Sequence, residues 1–360
     1  RRPPRSTLDR SSAASDVYKR QVHSEGISDP LCAPDPVSGR VANFWEFPKW
    51  IIKLKADNGI EGLGEPRRGD LEPLLKESAS RLIGRQIVDL PLGNLPISRN
   101  EVYDGFEMAW LDLLGNMLEV PVWNLLGGKK IDRVPVDYWM GRCTTKETYR
   151  RTKLALEMGF QGVKMKCKFG DPIAERVAAV KQAAPEFAIV LDPNERFYDL
   201  STALKIASSL DPYGPILLED PIPKSSLEEY VELKANISHP IALHLDNLDD
   251  LLAGLKMDAA DHYNLLGTIK EFVDWTRLAH TVGSKTWRGT GMDLGIRDMS
   301  SVHAAAAAGC ELPCDIIGNV FREDDLILDP VEIIDGYAAV PDLPGLGVEL
   351  DMNSIDKYRV

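Results

Sequence analysis

From residue 134 to about 320, runs of strand character alternate with amphipathic helices, and no other feature restricts the fold as much. The strand-like runs are "VPVDYWMG" (from 134), "GVKMKC" (162), "AIVLDPN" (188), "GPILLEDP" (214), "IALHLD" (241), "ADHYNLL" (260), "SKTWRG" (284) and "CDIIGN" (314). Between them "TKETYRRTKLALEMG", "DPIAERVAAVKQAA" and "DLSTALKIASSLD" carry apolar residues at close to 3.6-residue periodicity. Repeated βα units of this length predict an α/β chain with a parallel sheet. Eight of them predict a closed (β/α)8-type barrel over residues 134–330.

Polar residues recur in phase with that repeat. Lys166, Asp192, Glu219 and Asp246 are 26, 27 and 27 residues apart, and each stands at the C-terminal end of its own predicted strand. In a barrel those ends form one mouth, where side chains from neighbouring strands converge. Three converging carboxylates repel one another and stay partly protonated unless a cation sits among them. Hard oxygen ligands suit Mg²⁺, with Mn²⁺ as a substitute. A single carboxylate at a strand end serves equally well to cap the next helix, and it is the phase shared with the lysines that favours a site. On one strand Lys164 and Lys166 share a face, while Met165 and Cys167 point the other way. Two ammonium groups side by side and partly desolvated are expected to depress each other's pKa, which makes one of them a base at neutral pH.

Upstream, "PKWIIKLKADNGIEGLGEP" alternates apolar and polar residues around Asp57, Asn58 and Gly59, a hairpin signal. A helical region follows and ends in "FEMAWLDLLGNMLEVPVWNLLGGKK", where paired glycines stop the run. This sheet-poor stretch, 22–133, reads as an α+β accessory domain. The first 21 residues show no periodicity and closely resemble a translated sequencing adapter, so they are set aside as an artefact and disordered. On that reading the true N-terminus, with one strand, is missing before about Val22. The Pro-rich, aromatic "PDPVSGRVANFWEFP", residues 34–48, reads either as a loop over a substrate, with Arg40 or Phe44 touching it, or as a disordered joint.

Charge narrows the partners. With 55 Asp and Glu against 42 Lys and Arg, the net charge of −13 argues against nucleic acid or an anionic membrane, so an anionic substrate needs a locally positive site. No run of about 18 apolar residues occurs, and five scattered cysteines without a paired CxxC fit a reducing, cytoplasmic setting.

The motifs "GIEGLGEP", "FEMAWLDLLGNMLEVPVWNLLGG", "KMK", "LDPN", "LLEDP" and "VPDLPGLGVELD" together make the chain resemble the mandelate racemase and muconate-lactonizing branch of the enolase superfamily from about residue 48 to the end. The resemblance implies that the N-terminal part is a capping domain, completed by a C-terminal segment over 331–360, that closes over the barrel mouth and supplies specificity. It implies that Asp192 and Glu219 bind the metal, that Lys166 is the acid/base with Lys164 as its electrostatic partner, and that Asn194 sits beside the metal. The implied chemistry is Mg²⁺-dependent abstraction of the proton α to a carboxylate, giving a metal-stabilised enediolate. The implied partners are a small carboxylate substrate and a second copy of the chain in a homo-oligomer.

The sequence also departs from that pattern. The second lysine expected on the sixth strand is replaced by Leu265 and Leu266, and the histidine expected near the seventh by "SKTWRGTG", which offers only Lys285 and Arg288. At the end of the fifth strand Leu245 falls where the third metal ligand belongs, between His244 and Asp246. Asp246 is preferred because oxygen suits Mg²⁺, with His244 as the alternative ligand or as a catalytic acid. With no second base opposite Lys166, a syn dehydration of a sugar acid or other hydroxy acid, a hydro-lyase reaction, is favoured. A racemase, epimerase or cycloisomerase, or a non-catalytic ligand-binding descendant, remains as an alternative. Arg288 is read as holding a distal substrate group or as paired structurally. His303 reads as packed in a helix, Cys310 and Cys314 as packing, and His262 as either structural or reaching the site by alternation. The glycines of "WRGTGMDLG" give only a weak anion-binding signal.

Overall fold

The computed structural model describes residues 49–69, 71–291, 293–316, 320 and 324–358, together with two short backbone strands, Ser6–Thr7 and Val17–Tyr18. The readings placed on 1–21, on Arg40 and Phe44 within 34–48, and on Cys32 lie outside the described residues, those two strands aside.

The predicted hairpin is present as β1 (Ile52–Ala56) and β2 (Glu61–Gly64), paired antiparallel with Ile52 opposite Gly64 and Lys55 opposite Glu61. Gly59 takes φ +86° at the turn, a conformation that side chains disfavour. Helix α1 (Glu72–Leu82) follows, and then α2 (Tyr103–Leu118), which packs on the hairpin. The contact leaves no room for a side chain on β2: a Cβ at Gly62 would lie 2.2 Å from the Ala109 carbonyl oxygen, and one at Gly64 1.9 Å from that of Gly105.

The second part is a parallel sheet of seven strands in sequential order: β3 (Tyr138–Met140), β4 (Gly162–Lys166), β5 (Ala188–Asp192), β6 (Leu217–Glu219), β7 (Ile241–Leu245), β8 (His262–Leu265) and β9 (Lys285–Arg288). Helices α3 (Thr145–Glu157), α4 (Ile173–Ala183), α5 (Leu200–Leu210), α6 (Leu227–Asn236), α7 (Leu248–Met257) and α8 (Ile269–Thr281) connect them in turn, and α9 (Ile296–Ala308) follows β9. Thr144, Asp199, Ser226, Asn247 and Thr268 each cap the following helix through the side chain, so the βα loops end sharply just above the mouth.

Two strand predictions need correction. "VPVDYWMG" divides: Arg133–Pro135 pairs antiparallel with Tyr337–Ala339 of the C-terminal segment, and only Tyr138–Met140 enters the parallel sheet. Of "CDIIGN", residues 314–316 are described, and they form no extended strand. The Cys314 N–H donates to the Pro135 carbonyl at 2.8 Å and the Asp315 N–H to the Arg288 carbonyl at 2.9 Å, so these two residues bridge the sheet's two edges. That short bridge closes the barrel and carries Asp315 to the mouth.

Cap and barrel meet through buried charge. Glu65 accepts from the Leu294 and Arg297 N–H groups at the start of α9, and Glu107 on α2 accepts from the Lys270 N–H at the start of α8. Each is an acid at a helix N-terminus, where the exposed N–H groups favour negative charge. Lys49, fully buried, bridges Glu65 and Asp293 at 2.9 and 2.8 Å. The C-terminal segment returns to α2, with the Leu346 N–H on Asp112 Oδ1 and the Gly345 N–H on the Val120 carbonyl. His303 lies inside α9, accepting from the Trp123 N–H and facing the Leu346 carbonyl, which is the packed role expected of it. Among the described residues no helix is long and apolar enough to cross a membrane.

Candidate active site

Lys164 and Lys166 project from β4 to the barrel interior, while Met165 and Cys167 are buried in its wall. The end of this strand is held by Arg176 of α4, a buried side chain that donates to the Lys166 and Gly141 carbonyls at 2.8 and 3.0 Å. Lys166 contacts Asp192, its register partner on β5, and donates to Asn194 Oδ1 at 3.0 Å. Lys164, only 3% exposed, bridges three acids: Glu219 Oε2 at 2.7 Å, Asp315 Oδ2 at 2.6 Å and Asp192 Oδ2 at 3.4 Å. Buried Asn264 of β8 donates to Glu219 at 2.9 Å and to Asp315 at 3.3 Å. His244 of β7, 23% exposed, places Nδ1 3.6 Å from Glu219 Oε1. Its main-chain N–H donates to Asp220 Oδ1 at 2.9 Å, and Asp220 is paired in turn with Lys224.

The backbone above β5 and β6 is strained. Asn194 (φ +49°), Glu195 (+69°), Tyr198 (+67°) and Asp220 (+44°) all adopt the left-handed conformation without being glycine. Such outliers persist where the surroundings over-determine them, and they gather at functional sites.

Electrostatics here run against one expectation. Burial alone would lower the Lys164 pKa, but Asp315, Glu219 and Asp192 outweigh it and hold the ammonium well above the ordinary lysine range. Mutual depression of the two lysines is therefore not what governs Lys164, because carboxylates and not a second ammonium are its nearest neighbours. Asp192 is buried, yet Lys166 and Lys164 hold it below the usual carboxylate range. Burial, reinforced by Asp192, pushes Glu219 up to about 8, and burial with Asp315 pushes Asp137 up to about 7. Desolvation and Lys164 push His244 down to about 3.

The structure brings together Lys164, Lys166, Asp192, Glu219, Asn194 and His244 as the sequence predicts, and leaves out two others. Asp246 lies one residue beyond β7, 58% exposed, with its carboxylate 4.0 Å from Arg67 of the cap, because the chain turns outward into the Asn247 cap of α7. It does not join the acid cluster as third ligand. Leu245 is no candidate either, since it is buried in the wall opposite Leu265. Arg288 is 1% exposed, and one guanidinium nitrogen donates to the Leu266 and Gly267 carbonyls at 2.7 and 2.8 Å while its charge lies over the Phe272 ring. It pins the loop after β8. His262 begins β8 at the opposite end of the barrel, paired with Lys285.

Two members of the cluster escaped the sequence reading. Asp315 stands 27 residues after Arg288, in step with the strand repeat, and that spacing was the available signal. Asn264 gave none, since an amide in a strand is ordinary. Among the described residues, no three His, Cys, Asp or Glu side chains stand arranged as they are to hold a metal ion, because the Lys164 ammonium occupies the space between Glu219 and Asp192.

Residues 147–354 match the family model described as "Enolase C-terminal domain-like". The chain is 27% identical to the N-succinylamino acid racemase of Thermus thermophilus, covering 84% of this chain and 87% of that protein. It is 26% identical to a probable glucarate dehydratase of Streptomyces coelicolor, over 84% and 83%. In fold it superposes on the 2-chloromuconate cycloisomerase of Rhodococcus opacus with a TM-score of 0.83 at 18% identity, covering 99% of each chain.

Proposed function

The chain belongs to the enolase superfamily, in its mandelate racemase and muconate-lactonizing branch, and on that premise we propose that it removes water from a small hydroxy acid, a sugar acid being the favoured class. The observation that carries this reading is the asymmetry of the mouth. One wall presents Lys166, partly exposed and held by Asp192 and Asn194, while the wall opposite offers Leu266 and an Arg288 committed to main-chain carbonyls. One lysine must then serve as both base and acid.

Once its ammonium has released a proton, Lys166 takes the proton α to the substrate carboxylate, and the electron pair moves toward the carboxylate. The Lys166 ammonium so formed returns a proton to the β-hydroxyl as its C–O bond breaks, so H and OH depart together as water. The enol that remains tautomerises to a 2-keto acid. A single group acting at both atoms requires that they share one face, hence syn elimination. Lys164, kept charged by its three carboxylates, sits as a fixed cation beneath the reacting carboxylate.

Asp192 and Glu219 fit a hard divalent cation: two buried carboxylates from adjacent strand ends whose charge only lysine ammonium groups now balance. Bound there, Mg²⁺ supplies positive charge against the negative charge that grows on the substrate carboxylate oxygens. The test is incubation of hydroxy-acid and sugar-acid panels with Mg²⁺ in D₂O. Appearance of a 2-keto acid, abolished by Lys166→Ala, is the expected result. Solvent deuterium at the α carbon without elimination would favour an isomerase instead. No reaction and no exchange with any acid would overturn the proposal.

A further inference from the structure

The loops after β5 and β6 hold four left-handed residues between them: Asn194, Glu195 and Tyr198 in the first, Asp220 in the second. Residues with side chains disfavour that conformation, so contacts outside each residue must hold it there. Two main-chain bonds tie the loops together, from the Glu195 N–H to the Asp220 carbonyl at 2.7 Å and from the Phe197 N–H to the Pro221 carbonyl at 3.1 Å. One cation joins Glu195 and Asp220 again through their side chains. Lys224 Nζ lies 2.9 Å from Glu195 Oε1 and contacts Asp220 Oδ2, while Asp220 Oδ1 accepts from the His244 N–H. An exposed ion pair contributes little, but Asp220 is buried, and losing its cation would leave that carboxylate uncompensated.

The residue aimed by this clamp is Asn194. Its N–H donates to Asp192 Oδ1 at 3.0 Å, and its Oδ1 accepts from Lys166 at 3.0 Å, with Arg196 a more distant donor at 3.5 Å. Because Asn194 and Glu195 are consecutive left-handed residues, relaxation of Glu195 turns the Asn194 side chain away from Lys166. We infer that Lys224 is a positioning residue: by bridging Glu195 and Asp220 it keeps the Asn194 oxygen on Lys166 and so fixes the reacting nitrogen. The inference rests on Lys166 as the acid/base of the reading above, and adds the group that sets its aim. A nitrogen that must serve both the α proton and the β-hydroxyl tolerates little displacement, and about 1 Å costs on the order of 100-fold in rate.

The experiment compares Lys224→Met and Lys224→Arg with the wild type in two measurements: amide hydrogen exchange resolved at Glu195 and Phe197, and kcat and KM on the acid found in the D₂O panel. Lys224→Met is expected to speed exchange at both amides at least about tenfold while leaving α5 unchanged. The kcat should fall at least about tenfold with KM within about threefold, a loss confined to the chemical step. Lys224→Arg keeps a cation between the two acids and should recover most of the kcat. Unchanged kcat in Lys224→Met would overturn the inference, as would exchange that rises throughout the barrel, the mark of a purely structural role. A wild type inactive on every acid would strike the function alone. Faster exchange at Glu195 and Phe197 in Lys224→Met would then still support the clamp, and unchanged exchange would overturn it as well.

Discussion

Lys164 Nζ and Glu219 Oε2 meet at 2.7 Å in the buried mouth of the barrel, and Asp315 and Asp192 crowd the same ammonium. Removing one partner of such a cluster leaves buried charge uncompensated, at a cost of about 3–5 kcal/mol. Lys164→Met is expected to lose stability on that scale in urea denaturation. Adding Glu219→Gln to it should recover part of the loss, with a coupling energy above about 1 kcal/mol in the double-mutant cycle. Independent, additive losses would mean that the contact carries no net interaction.

Asp192 and Asp246 make opposite predictions about cation binding. Asp192 is buried against both lysines, whereas Asp246 is exposed beside Arg67. By calorimetry, Asp192→Asn should weaken Mg²⁺ or Mn²⁺ binding at least about tenfold, the loss of a buried charged ligand. Asp246→Asn should change it by less than about twofold, as this mostly exposed carboxylate faces Arg67 of the cap and not the acid cluster. A large effect of Asp246→Asn would return that carboxylate to the site.

Arg288 separates structural from substrate-binding roles. Its guanidinium satisfies the Leu266 and Gly267 carbonyls, so Arg288→Met leaves buried acceptors unpaired at about 1–3 kcal/mol, read as a lowered urea midpoint. KM should move by less than about threefold, since no substrate group meets this side chain. A rise in KM of tenfold or more with unchanged stability would show that Arg288 holds substrate after all.

The barrel was legible because its signals are local: a period near 3.6 between strand-like runs, and lysines and acids returning every 26 or 27 residues. Lys164, Lys166, Asp192 and Glu219 followed from that phase, since a parallel strand puts alternate residues on one face. What failed depended on where the chain leaves a strand. His244 and Asp246 have the same parity, and only the outward turn at Asn247 separates them. For Arg288 the sequence left a substrate-holding and a structural role open, because it does not disclose that the Leu266, Gly267 and Thr268 carbonyls are presented to it. Asp315 was hidden because the bridge that carries it is held by pairing with Pro135 and Arg288 rather than by any propensity of its own.

Glu107 offers a prediction about how the cap is seated. It lies in α2, buried, and accepts from the Lys270 N–H at 3.1 Å. Desolvation raises its pKa from 4.5 to about 7, against the opposing influence of Thr268 and Lys270. A carboxyl raised in this way binds its proton more tightly folded than unfolded. Its contribution is therefore complete below pH 4.5 and is lost as pH climbs to about 7. Glu107→Gln keeps an acceptor for Lys270 and removes the titration. Relative to wild type, the variant should gain stability between pH 4.5 and pH 8 by on the order of 3 kcal/mol, measured by urea denaturation at both ends. Other titrating groups are common to both proteins and cancel in the difference. A difference that stays constant with pH would mean that Glu107 is ionised throughout, and that the N-terminus of α8, not burial, sets its charge.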